Sequence, residues 1–194
     1  LTDDKCWQIF NLQDCNFGYR ESVFKCKLKN KAVIGSVTFK LNKKPEFNTR
    51  YGAIEQELER MGVQDMSIKT VSEAVINIRQ SKLPDPKQIG NSGSFFKNPV
   101  IDEQHFEKLK KEFDGIVAYP ARAGKIKVAA GWLIEKAGYK GKRLVNYGVH
   151  DRQALVLVNH GGAKGIDIYN LSEEIIAAIK SQFEIELERE VNVI

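Results

Sequence analysis

The sequence predicts an α+β fold in two lobes, on three observations. Residues 33–41 alternate in polarity with the two-residue period of a half-buried strand. Apolar residues recur at helical spacing at Ile54, Leu58 and Met61, and again at Val71, Val75 and Ile78. Beyond residue 90 short helical and strand-like stretches alternate, which predicts a small α/β lobe. Pro84 and Pro86 break the chain between the lobes, so we expect boundaries at 1–83, 84–183 and a closing strand at 184–194 that returns to the first lobe.

In chain order, residues 23–41 read as strands, with Val33, Gly35, Val37, Phe39 and Leu41 on one side, and Lys43-Lys44-Pro45 ends them. A polar loop, 46–52, leads to the first helix, which Gly62 stops. Thr70-Val71-Ser72-Glu73 has the form of a capping box, predicting a helix start there. Gly90-Asn91-Ser92-Gly93-Ser94 reads as a tight turn that displays a hydroxyl, anchored by Phe95 and Phe96. Asp102 is placed to cap a helix carrying Phe106, Leu109 and Phe113. Then come a strand at 116–119, an apolar helix at 128–137 ended by Gly138, and strands at 143–150 and 153–159. A long helix is predicted from about Leu171, with Ile175, Ile179 and Phe183 on one face and Glu173 and Glu174 in its first turn.

Composition narrows the class. The 194 residues are 42% hydrophobic and 28% charged, ordinary for a soluble globular protein, and no run approaches a membrane span. Leu1-Thr2-Asp3-Asp4-Lys5 is acidic where a signal peptide is basic, and the absence of a first Met suggests a trimmed chain. Cys6, Cys15 and Cys26 are odd in number and lack metal-ligand spacing, which predicts buried thiols in a cytoplasmic protein without a metal. The net charge of +5 is spread: Lys108, Lys110 and Lys111 are interleaved with Glu107 and Glu112, the pattern of a solvated face rather than a nucleic-acid site. His105, His150 and His160 show no ligand or triad spacing.

Several blocks carry a resemblance. Phe17-Gly18-Tyr19-Arg20-Glu21-Ser22-Val23-Phe24, the lead-in Lys82-Leu83-Pro84-Asp85-Pro86-Lys87, the serine turn through Pro99, Ala129 to Ile134, Val149 to Leu157, and Leu187 to Ile194 occur in this order. Together they resemble the UDP-N-acetylenolpyruvoylglucosamine reductases, flavoenzymes of peptidoglycan precursor synthesis. The resemblance implies that residues 1–83 are the C-terminal part of an FAD-binding domain with a substrate-closing loop, followed by a substrate-binding lobe. It also implies that most flavin contacts lie outside this chain, which would be inactive alone. NADPH as reductant, UDP-N-acetylglucosamine enolpyruvate as substrate and a monomeric state belong to the same expectation.

The implied reaction adds a hydride to C3 of an enolpyruvyl ether and a proton to C2, so negative charge develops at C2 and its carboxylate. The resemblance makes Arg20 the cation that holds this carboxylate; without it, Arg20 reads as a surface arginine beside Glu21 or Asp14. It makes Ser94 the proton donor and Glu190 the partner of Arg20, with Glu188 as the rival and an exposed strand residue as the plain reading. Tyr19, Tyr51, Lys82, Asn98 and Gln153 match positions that contact the UDP-sugar. The chain departs from the pattern at Ser92, where alanine is expected, at Arg189, where proline is expected, and at Asn192, often arginine. The competing reading is a non-enzymatic module of the same fold class that binds nucleotides or nucleic acid.

Overall fold

A computed structural model describes residues 6–49, 53–122 and 124–193. The chain divides into two compact units, Leu1–Glu46 and Phe47–Ile194.

The first unit is built of turns. Cys15 N–H donates to Asn11 O at 3.2 Å and Val23 N–H to Cys15 O at 2.9 Å, folding 11–23 back on itself. Phe10 and Phe24 meet edge to face, their centroids 5.1 Å apart. Residues 23–41, expected as strands, form turns to Lys31 and then an irregular run. Their alternation is real, but β structure depends on a neighbouring ladder more than on intrinsic preference. Residues on both sides of the alternation stay exposed, Val37 and Phe39 on one and Ile34 on the other. The thiols also differ from expectation: Cys6 and Cys26 are exposed and Cys15 is half-buried, because this unit has little interior.

The second unit opens with α1 (Ile54–Arg60) and α2 (Ile68–Lys82), which pack through Ile54, Leu58 and Ala74. Helix α2 begins earlier than the sequence suggested. Ser67 is its N-cap, and Thr70 is the third helical residue of the capping box, its N–H bonded to Ser67 Oγ at 3.1 Å. A Ser-x-x-Thr pairing thus supplies the cap in place of Thr70-x-x-Glu73.

Two three-stranded antiparallel sheets follow. One has the order β1 (Gly90–Ser94), β6 (Val156–Asn159), β5 (Tyr147–Val149); the other β2 (Val100–Asp102), β4 (Lys125–Val128), β3 (Ala118–Pro120). Every ladder is antiparallel, so the alternation of helices and strands produces α+β rather than parallel crossovers. Strands β2 and β4 were not legible as strands, being three and four residues long. The predicted strands at 143–150 and 153–159 shrink to β5 and β6 because a hairpin and a loop occupy the rest. Val156, Leu157 and Val158 are all buried, the mark of a central strand covered on both faces.

Helices α3 (Glu103–Glu112), α4 (Ala130–Lys136) and α5 (Gly165–Phe183) complete the unit. Asp102 stands at the N-cap of α3, but its carboxylate goes to Lys125 Nζ at 2.6 Å instead of a helix amide. Helix α5 starts six residues before Leu171, at Gly165, so Asp167 and not Glu173 or Glu174 occupies the first turn. Leu171, Ile175, Ile179 and Phe183 form its buried stripe, each worth about 1.5–3 kcal/mol of apolar burial. Glu184, at φ 57°, ends the helix. Beyond it, the expected long strand is an extended segment tied to 95–97 by one bridge, Phe96 to Arg189.

Candidate active site

The serine stretch is an edge strand with a bulge rather than a turn. The register is Asn91 opposite Val158 and then Ser94 opposite Val156, so an extra residue is accommodated between them. Gly93 takes it up at φ +71°, its N–H bonded to Asn91 Oδ1 at 3.0 Å. Ser94 emerges exposed, while Phe95 and Phe96 are buried behind it. Phe95 N–H donates to Leu155 O at 2.8 Å, which holds the residue after the strand to the loop before β6.

The C-terminal segment lies along the other side of the same residues. Glu190 N–H donates to Phe95 O at 2.9 Å and Lys97 N–H to Glu188 O at 2.8 Å. This register sets Glu190 opposite Phe95, one residue from Ser94. Glu188, the rival carboxylate, is paired with Lys97 Nζ. Arg189 points to α5: its Nε donates to the buried Ser172 Oγ at 2.8 Å, and its guanidinium lies 4.5 Å from the Tyr169 ring centroid. A cleft of about 600 Å³ opens between this segment and the start of α5, lined by Ser92, Phe95, Gly165, Ile166, Tyr169 and Val191 among others.

Asn98 and Gln153 both lie against the first turn of α4. Asn98 Oδ1 accepts the Ala130 N–H at 2.9 Å. Gln153 Oε1 accepts the Leu155 N–H at 3.3 Å and lies 3.3 Å from where a side chain on Gly131 would begin. Each amide thus turns its oxygen to backbone and keeps its NH₂ as a donor. Lys82 is the exposed last residue of α2.

Tyr19 and Arg20 belong to the first unit, as the two central residues of a turn closed by Gly18 N–H to Glu21 O at 2.9 Å and Glu21 N–H to Gly18 O at 3.3 Å. Arg20 has φ 58°, a left-handed conformation that costs a bulky residue about 1–2 kcal/mol. Such strain concentrates at functional sites. Tyr51 lies outside the described residues.

Sequence reasoning gave no partner for the long-range anchors, namely Ser172, Arg189, which it marked only as a departure from an expected proline, and Arg152, whose Nη1 donates to Ser81 O at 3.0 Å. No short-range signal marks a side chain for a partner 17 or 71 residues away. Among the described residues no group of three or more His, Cys, Asp or Glu is arranged to hold a metal, and no helix is long and apolar enough to cross a membrane. Basic residues of the second unit are tied to acidic ones, Lys140 to Glu135 and Lys142 to Glu174, each at 2.8 Å.

A helix-and-antiparallel-sheet unit with this serine strand and C-terminal segment defines the class, and comparison with known proteins identifies the family. Residues 85–194 match the family described as UDP-N-acetylenolpyruvoylglucosamine reductase, C-terminal domain. The chain belongs to that family. A UDP-N-acetylenolpyruvoylglucosamine reductase of Flavobacterium johnsoniae is 51% identical over 188 residues, 96% of this chain and 56% of the relative. One of Amoebophilus asiaticus is 48% identical over 185 residues, 95% of this chain and 55% of the relative. The chain therefore spans about half the length of the curated relatives it matches. Among solved structures, the reductase of Thermus caldophilus aligns at 21% identity with a TM-score of 0.37, over 65% of this chain and 34% of that one.

Proposed function

We propose that this chain is the substrate-binding and catalytic part of a cytoplasmic UDP-N-acetylenolpyruvoylglucosamine reductase, which reduces UDP-N-acetylglucosamine enolpyruvate to UDP-N-acetylmuramate for peptidoglycan. The observation that carries this reading is the register between the serine strand and the C-terminal segment, with Glu190 opposite Phe95, the residue that follows Ser94. Membership in the reductase family supports it.

In this reading Ser94 delivers the proton to C2, and Arg20 binds the substrate carboxylate and stabilises the charge that develops there. Glu190, which matches the glutamate of the reductase motif, is the working carboxylate, and Glu188 pairs with the Lys97 ammonium. Asn98 and Gln153 present amide donors to the sugar or uracil, Lys82 meets the diphosphate as a point charge, and Tyr19 and Tyr51 contact the UDP-sugar. FAD, reduced by NADPH, supplies the hydride when bound. The described residues of the first unit fit it poorly: Phe39 and Leu41 stand exposed, and the Trp7 ring fills the space beside Gly35, 2.6 Å from where a Cβ would sit. The flavin would therefore rely mostly on residues outside this chain.

Two measurements test the reading. Calorimetric titration with UDP-N-acetylglucosamine enolpyruvate should give saturable binding, weakened by Lys82→Ala and Gln153→Ala and little changed by Ser94→Ala. A chimera in which this chain replaces the matching half of the Flavobacterium johnsoniae reductase should oxidise NADPH with that substrate, and Ser94→Ala should reduce kcat at nearly constant KM. A folded chain that binds no UDP-sugar defeats the proposal.

A further inference from the structure

Helix α2 delivers Lys82 from its last turn, where carbonyls lack intrahelical partners. The carbonyl just before it, Ser81 O, is taken by Arg152 Nη1 at 3.0 Å. Two residues after Lys82, Pro84 is buried and its carbonyl accepts Asn91 Nδ2 at 3.4 Å. The backbone that carries Lys82 is thus held on both sides.

Arg152 itself springs from a loop with little freedom. Its N–H donates to Nδ1 of the buried His150 at 3.2 Å. His150 N–H donates to Val156 O at 2.9 Å and Val156 N–H to Gln153 O at 3.0 Å, closing the loop onto β6. The residue next to Arg152 is Gln153, whose amide lies with that of Asn98 at α4. One loop therefore holds the amide pair through Gln153 and grips the end of α2 through Arg152.

We infer that Arg152 is a positioning residue: it fixes the Lys82 ammonium relative to the Asn98–Gln153 amide pair, so that one anion-bearing ligand reaches all three. The ligand chemistry is a nucleoside diphosphate joined to a sugar. The inference rests on the reading that these three residues bind UDP-sugar, and it adds a residue that touches no ligand. A guanidinium suits the task because it is always charged and directional, and a helix C-terminal carbonyl is a favourable acceptor for a cation.

The test is a double-mutant cycle on this chain, with UDP-N-acetylglucosamine enolpyruvate as the probe and calorimetry and thermal unfolding as readouts. Lys82→Ala should raise Kd about tenfold, the scale of a charge-assisted contact. Arg152→Ala should raise it about fivefold, the scale of one net hydrogen bond, with little change in Tm. In the Lys82→Ala background the Arg152→Ala penalty should vanish, because its effect passes through Lys82. Arg152→Lys, which keeps one donor and the charge, should recover most of the affinity. Additive penalties would mean that Arg152 touches the ligand directly, and an unchanged Kd for Arg152→Ala would mean that the anchor is idle; either overturns the inference. If Lys82→Ala itself leaves Kd unchanged, or the wild-type chain binds nothing, the underlying reading fails first and the inference falls with it.

Discussion

Arg189 covers the ring of Tyr169, guanidinium carbon to centroid 4.5 Å, and joins the C-terminal segment to α5. Its Nε reaches the fully buried Ser172 hydroxyl at 2.8 Å, and that hydroxyl in turn donates to Tyr169 O at 2.6 Å. The Glu173 carboxyl is held below its ordinary range chiefly by Arg189 and then by Tyr169. Arg189→Ala should therefore destabilise the second unit by about 1–2 kcal/mol, through the lost ring contact and the bond to Ser172. Urea unfolding measures this. Arg189→Lys should recover little, since an ammonium cannot reach the hydroxyl and carboxylate as a fork while lying flat on the ring. A wild-type-like midpoint for Arg189→Ala would show that the pairing of 188–190 with 95–97 holds the segment unaided.

Gly148 sits where the chain crosses itself. A Cβ there would lie 2.3 Å from Lys142 O and 3.0 Å from Arg143 Cα, both backbone atoms. They are fixed by Val149 N–H to Lys142 O at 2.9 Å and Leu144 N–H to Tyr147 O at 2.8 Å. Gly148→Ala must spread this hairpin, and we expect a loss of about 2–3 kcal/mol. Gly165 is the contrasting case: no atom lies within 4 Å of an added Cβ, and it is the first residue of α5. Gly165→Ala should stabilise by about 0.5 kcal/mol. Thermal unfolding of the two variants should move in opposite directions.

His150 gives the second unit an acid-sensitive point. Burial lowers its pKa first; Asp151 pulls it up, while Arg152 and His160 push it further down. Its Nδ1 accepts the Arg152 N–H, so protonation there breaks a hydrogen bond. With the folded value below the ordinary 6.5, the unfolded chain takes the proton first as pH falls. The stabilisation is complete above the ordinary value and is lost as pH falls from there through the folded value. Tm should thus decline as pH falls below about 6.5 more steeply in the wild type than in His150→Gln, which keeps an acceptor but does not titrate. Parallel profiles would remove His150 from the account.

The sequence patterns that depend on one element alone were read well. The Ile175, Ile179 and Phe183 stripe, the Gly138 stop and the burial of Phe95 and Phe96 all follow from local spacing. What escaped depends on neighbours. Val33 to Leu41 has strand periodicity without a strand, and β2 is a strand because β4 lies beside it. The site divides the same way. Ser94, Asn98 and Lys82 are candidates that motifs mark, whereas the placement of Asn98 and Gln153 at one turn needed a helix start contributed by a third segment. Arg189 was visible only as a departure from an expected proline, and its contacts on α5 account for what the arginine does.

In the proposed site, Asn98 would serve structure and recognition with one side chain. Its oxygen accepts the Ala130 N–H at 2.9 Å, an amide at the start of α4 that no capping side chain on Ala129 can satisfy. Its NH₂ group is the part left for a ligand. Asn98→Ala removes both and should cost about 1 kcal/mol of stability along with affinity for the UDP-sugar. Asn98→Asp keeps an acceptor for Ala130 but offers a carboxylate where a donor stood. Its Tm should stay near wild type, while Kd for UDP-N-acetylglucosamine enolpyruvate rises by about tenfold or more, because an acceptor now faces an acceptor-rich ligand. Paired unfolding and calorimetry on the two variants give the answer: if Asp binds as tightly as Asn, the amide serves only to start α4, and the nucleotide-sugar must be recognised by Gln153 and Lys82 without it.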